Sequence, residues 1–145
     1  MKILRNILAI IAGFAAGSIV NMSLLMLGNT IVELPPGTDV STPEGLAAAM
    51  PRFTAIHYLF PFLAHALGTL AGAWVAASIA LTHKMIFALV MGGLFLIGGI
   101  ANAFMLPAPA WFIVLDLMGA YIPMAWIGGR SAAPRGGFSS GDRTP

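Results

Sequence analysis

Four apolar runs, at roughly 4–27, 55–81, 85–106 and 110–128, leave this chain few folds to adopt. Each is near the ~20 residues that carry a helix across the hydrocarbon core of a bilayer. In that core every backbone polar group must find its partner internally, so runs of this length span it as helices. Composition agrees: 59% of the 145 residues are hydrophobic and only 8% are charged, where a soluble domain carries about a quarter. That leaves too little polar surface to cover a water-soluble globule. The expected fold class is therefore all-α: one polytopic domain of four transmembrane helices over 1–129. A Gly, Ser, Pro and Arg rich tail at 130–145 is expected to be disordered and cytoplasmic.

Lys2 and Arg5 flank the first run as in a signal peptide, but the run outlasts the ~7–15 apolar residues of such a segment. No Ala-x-Ala site closes it near Gly28, so a retained helix is expected. The chain has no cysteine, which excludes disulfides, thiolate chemistry and Cys-ligated metals. No basic cluster interleaved with aromatics points to nucleic acid.

Direction follows from Lys and Arg placement. Lys2, Arg5, Lys84, Arg130, Arg135 and Arg143 fall at the N-terminus, the second connection and the tail. Only Arg52 lies in the first connection, beside Glu33, Asp39 and Glu44, and the third connection is uncharged. Both termini are thus expected in the cytoplasm, with 28–54 as an extracytoplasmic loop. In that loop LPPG favours an extended path. Ser41 with Glu44 matches a capping box and Pro43 suits a first turn, which predicts a short helix over GLAAAM, ended by Pro51, lying on the outer face.

Two patterns recur. G-x-I-x-N occurs at Gly17–Asn21 and again at Gly98–Asn102, and an ionisable residue stands three before glycine in HALG (His65–Gly68) and DLMG (Asp116–Gly119). Two parallel helical-hairpin repeats would produce that arrangement. At ~1.5 Å per residue, Asn21 lies about 9 Å from the outer end of its span, Asn102 about 6 Å, Asp116 about 9 Å and His65 about 15 Å. The candidate ligand, ion or proton site is accordingly Asp116, His65, Asn21 and Asn102, with His57 at the outer boundary.

Small residues step by four at Gly13, Gly17 and Asn21, and at Ala64, Gly68, Gly72 and Ala76, with His65 and Thr69 in the next row. Such rows let helices approach closely, so Gly13, Gly17, Gly68 and Gly72 are expected packing positions that turn Asn21 and His65 inward. Asp116 carries the sharpest signal. A carboxylate at depth costs at least ~2.5–3.5 kcal/mol and should face the interior with a partner. The competing reading makes these residues interhelical glue, worth roughly 0.6 kcal/mol per contact. Pro61 and Pro123 should break the bonds to the carbonyls of His57 and Gly119 and kink both helices.

Met22, Met26, Met50, Met105 and Met118 share the outer side with the histidines, a donor set that suits Cu(I). No tight Met-x-Met or His-x-x-His cluster accompanies them, so neither a metal nor another cofactor is expected. No nucleophile–base–orienter set is visible either, which leaves no catalytic residues to name.

The segments VNMSLLMLG, FPFLAHALGTLAGAWVAA, HKMIFAL and ANAFMLPAPAWF resemble a family of uncharacterised small bacterial four-helix inner-membrane proteins. The resemblance covers the four spans, omits the tail, implies a bacterial inner-membrane location and supplies no activity. The signature motifs of small multidrug transporters and fluoride channels are absent. Three functions stay open: a proton- or ion-linked transporter or channel-like protein, an accessory subunit on a larger membrane partner, and, weakest, a lipid-acting enzyme. The expected partners are the lipid bilayer and either a second copy through a GxxxG face or that larger membrane protein.

Overall fold

A computed structural model describes residues 2–132, all helix, turn or irregular chain with no strand among them. The helices are α1 (Lys2–Ile31), α2 (Pro43–Ala49), α3 (Leu59–Ile79), α4 (Lys84–Met105), α5 (Ala110–Gly119) and α6 (Ile122–Ala132). Four segments are long and apolar enough to cross a membrane: α1, Ala55–Ile79, α4, and α5 with α6 together. The chain is a four-helix membrane protein.

α3 is the central rod, with α1, α4 and α6 packed around it. Its contact with α1 is antiparallel and made of glycine. A Cβ on Gly13 would stand 2.7 Å from the Gly72 carbonyl oxygen, and one on Gly17 2.7 Å from that of Gly68. The four predicted packing glycines thus meet each other inside one chain. α6 runs parallel to α3, with Gly128 against the Leu70 carbonyl, and antiparallel to α4, where Gly92 meets Ala125 and Gly129 meets Ala88. Between them lies a core of small side chains around one large one: Ala73, Ala76, Ala77, Ala88 and Ala125 enclose Met91. The second hairpin does not repeat the glycine contact of the first. The counterparts of Gly17 and Gly68 are Gly98, which faces open space, and Gly119, which faces Phe62.

Several boundaries differ from expectation. α1 runs one turn past 27, to Ile31, because Gly28 leaves room for Phe60 where a Cβ would stand, and Val32 N–H donates to the Gly28 carbonyl at 2.8 Å. Three residues of the expected tail are helical. Arg130–Ala132 continue α6, with the Arg130 guanidinium 4.8 Å over the Trp126 ring one turn earlier. The rest of that segment, 133–145, lies outside the described residues.

The 28–54 connection closes one end of the bundle. Pro35 to Thr38 form a turn with Gly37 at φ +74° and Thr38 N–H donating to the Pro35 carbonyl at 3.2 Å. Arg52 clamps it, donating to the Pro36 carbonyl at 3.0 Å and to Thr38 Oγ1 at 2.9 Å. The predicted short helix exists as α2, but its cap is Thr42, not Ser41. Thr42 Oγ1 accepts from Gly45 N–H, and Pro43 takes the first helical position. Ser41 is drawn away by Asp39, whose Oδ1 accepts from both its N–H (2.8 Å) and its O–H (2.6 Å) and whose carboxyl these bonds hold below the ordinary range. Met50, just after α2, packs with Tyr58 and Phe112, so the loop roofs the bundle.

Pro61 does not kink a helix. A 3₁₀ turn, Ala55–Tyr58, precedes α3, and Pro61 falls in the first turn of α3, where its missing N–H has no helical partner to lose. Pro123 acts as expected: the fourth span breaks at Ala120–Tyr121, between α5 and α6.

Candidate functional site

Asp116 lies near the C-terminal end of α5, just before that break, and is buried at 5% exposure. Its partner comes from α3. His65 Nδ1 is 2.8 Å from Asp116 Oδ1 and 3.0 Å from Oδ2. Tyr121, in the break itself, donates its hydroxyl to Oδ2 at 2.9 Å and stacks on the imidazole with centroids 5.8 Å apart. With Asp116 ionised, both of its oxygens accept and the imidazole proton sits on Nδ1. The assignment follows from the network. Nε2 makes no hydrogen bond among the described residues. With a lone pair on Nε2 the group is one negative charge; with a proton there it is neutral overall.

Tyr121 was not among the residues read from the sequence. It stands five after Asp116, roughly 140° around a regular helix, and only the break before Pro123 turns its hydroxyl back. A mid-span tyrosine beside a carboxylate was the available clue, since a buried phenol needs a partner. Gly99 on α4 completes the arrangement, because the Tyr121 ring and hydroxyl occupy the space a Cβ there would fill.

Two hollows meet at His65. The first, about 240 Å³, is bordered by both His65 and Asp116 and reaches the loop end at Met50, Phe53 and His57. The second, about 270 Å³, is a groove between α1 and α4, floored by α3 and bordered by Asn21, His65, Thr69 and Asn102. Asn102 borders both.

The five predicted residues therefore separate into three groups. His65 and Asp116 bond directly. Asn21 and Asn102 flank the groove and take no part in the network. His57 belongs to the loop: its Nδ1 accepts from Thr54 N–H at 3.0 Å, its Nε2 donates to the Glu33 carbonyl at 3.2 Å, and its ring stacks on Phe53 at 4.8 Å. It joins the loop to the start of the second span and borders the hollow from the far end. Met22, Met26, Met105 and Met118 are exposed, whereas Met50 is buried. No group of three His, Asp or Glu residues that could hold a metal occurs among the described residues.

Comparison with protein-family models, with curated proteins and with solved structures finds no match for this chain.

Proposed function

We propose that this chain is a proton- or ion-linked transporter or channel-like protein whose working group is the Asp116–His65 pair. One observation carries this reading. A buried carboxylate, bonded to an imidazole whose second nitrogen is unpartnered, borders a hollow that leads to the loop end. Proton uptake at His65 Nε2 cancels the site's net charge, and its release restores it. Intramembrane carboxylates and histidines arranged in this way are the material of proton relays. In the orientation that Lys and Arg placement favours, the hollow lies toward the outer side of a bacterial inner membrane, beneath the loop.

The test is proton and cation flux in proteoliposomes. The wild-type chain is expected to pass current or acidify the lumen under an imposed gradient, and Asp116→Asn to lose at least ~90% of that flux while still folding, since an amide preserves shape, accepts from His65 through its oxygen and can donate to the Tyr121 hydroxyl oxygen through its nitrogen, but cannot ionise. Absence of flux in both proteins would overturn the proton or cation pathway.

A second reading, an accessory subunit on a larger membrane partner, is favoured by the face of α4. Gly93 has no atom within 4 Å of an added Cβ, which leaves room for a helix from elsewhere to approach closely. Co-purification of one stoichiometric membrane protein, lost on Gly93→Leu, would select it.

A further inference from the structure

The groove between α1 and α4 is set apart from the Asp116 network by its chemistry. α1 and α4 approach each other through Phe95, which stacks on Phe14 at 5.4 Å and fills the space beside Gly17. Toward the loop end from that contact a gap lies between them, and it holds polar groups but no formal charge of its own. Asn21 comes from α1, Thr69 and His65 from α3, and Asn102 from α4. Asp116, the nearest charge, does not border the groove, and its oxygens are occupied by His65 and Tyr121.

Thr69 supplies an independent observation. It is 1% exposed, and its Oγ1 has no hydrogen-bond partner. A buried hydroxyl left unpaired is costly, and such groups in folded proteins mark a missing ligand or water. Thr69 borders the groove, as do the two carboxamides and the imidazole whose Nε2 is unpartnered. Gly98 leaves the mouth clear, with no atom within 4 Å of an added Cβ.

We propose that this groove binds an uncharged group bearing several hydroxyls, of the glycerol or sugar type. Two carboxamides, each able to donate and accept, match hydroxyls that do both. The Thr69 hydroxyl and His65 Nε2 add further positions, and the rings of Phe95 and Tyr121 suit the C–H faces of such a ligand. With the imidazole neutral, an anion would find no cation here, and a cation no free carboxylate. The group comes from a soluble molecule or from a lipid headgroup entering sideways between α1 and α4. This inference rests on the transport reading in taking the groove as the substrate arm of the same site, yet it is tested by binding alone.

The experiment uses the full chain in phosphatidylcholine nanodiscs, because sugar-headed detergents would compete. Labelled methyl glucoside is titrated by equilibrium dialysis, and labelled monoglucosyl diacylglycerol is followed by co-elution. Saturable binding in the first arm identifies a soluble polyol; binding confined to the second identifies a headgroup. Gly98→Leu should weaken either by about tenfold or more, the loss expected when a side chain fills the mouth, without lowering the unfolding midpoint. Thr69→Val should weaken binding and raise the unfolding midpoint of the unliganded protein, because it removes the unpaired hydroxyl. Binding in neither arm, or binding unchanged in both variants, would overturn the inference. A chain that binds glucoside yet carries no proton flux would retain this inference and lose the transport reading, so the two failures are separable.

Discussion

At the scale of single residues, the site depends on Tyr121 and Gly99 as much as on the ionisable pair. Tyr121→Phe removes one of the bonds that Asp116 accepts, and at the ~0.6–1.5 kcal/mol typical of such bonds it should destabilise the fold by about that much. Gly99→Ala places a methyl group inside the Tyr121 ring and should cost ~1–3 kcal/mol, as overpacking does. The two effects share one contact. Gly99→Ala is therefore expected to cost less in the Tyr121→Phe background, where the hydroxyl nearest the new methyl is gone. Thermal or denaturant unfolding of the four proteins measures that coupling, and additive costs would show that Gly99 does not position Tyr121. His57, by contrast, stands outside the network because its two ring nitrogens are committed to Thr54 and Glu33.

At the scale of elements, glycine decides which helices touch. The α1–α3 contact brings backbone to backbone, with Cβ positions 2.7–2.9 Å from facing carbonyl oxygens. The facing carbonyls are backbone and cannot swing aside as a side chain can, so Gly17→Ala or Gly68→Ala must push the helices apart. A loss of ~1–3 kcal/mol is expected for either. Gly93→Ala meets open space and should be neutral or stabilising by up to ~1 kcal/mol through helix propensity. Unfolding in detergent distinguishes the positions, and equal effects at all three would remove glycine packing as the basis of the contact. The same contact occupies the GxxxG face of Gly13 and Gly17 within one chain, leaving Gly93 and Gly98 on α4 as glycines that face open space.

At the scale of the whole molecule, the bundle is closed differently at its two ends. One end is tied by Arg5 Nε donating to the Ile79 carbonyl at 2.9 Å and by the short turn through His83. The other is roofed by the loop through Met50, Tyr58 and Phe112, beside the hollow that reaches Asp116. The cation distribution predicts that the roofed end faces outward. A chain without cysteine makes this simple to check by impermeant thiol labelling of single substitutions. Ser41→Cys should label in intact cells and Ser131→Cys only after permeabilisation. The reverse pattern would invert the orientation and point the hollow at the cytoplasm.

Hydrophobic run length and the cost of burying charge are properties of the chain itself, so the four spans, the break before Pro123 and the inward pairing of Asp116 were legible without coordinates. Stepping by four was enough to indicate which glycines pack, because that spacing defines one face of any helix. What a linear pattern does not hold is the angle at a break or the choice of neighbour. Tyr121 reaches Asp116 only because α5 and α6 part at Ala120–Tyr121, and Thr42 rather than Ser41 caps α2 because Asp39 holds Ser41. The division of the polar residues into a buried network and a separate groove also belongs to tertiary structure. It arises because α1 and α4 both pack on α3 and leave between them a groove that Asn21 and Asn102 border and Asp116 does not, an arrangement the spacing of the polar residues along the chain does not hold.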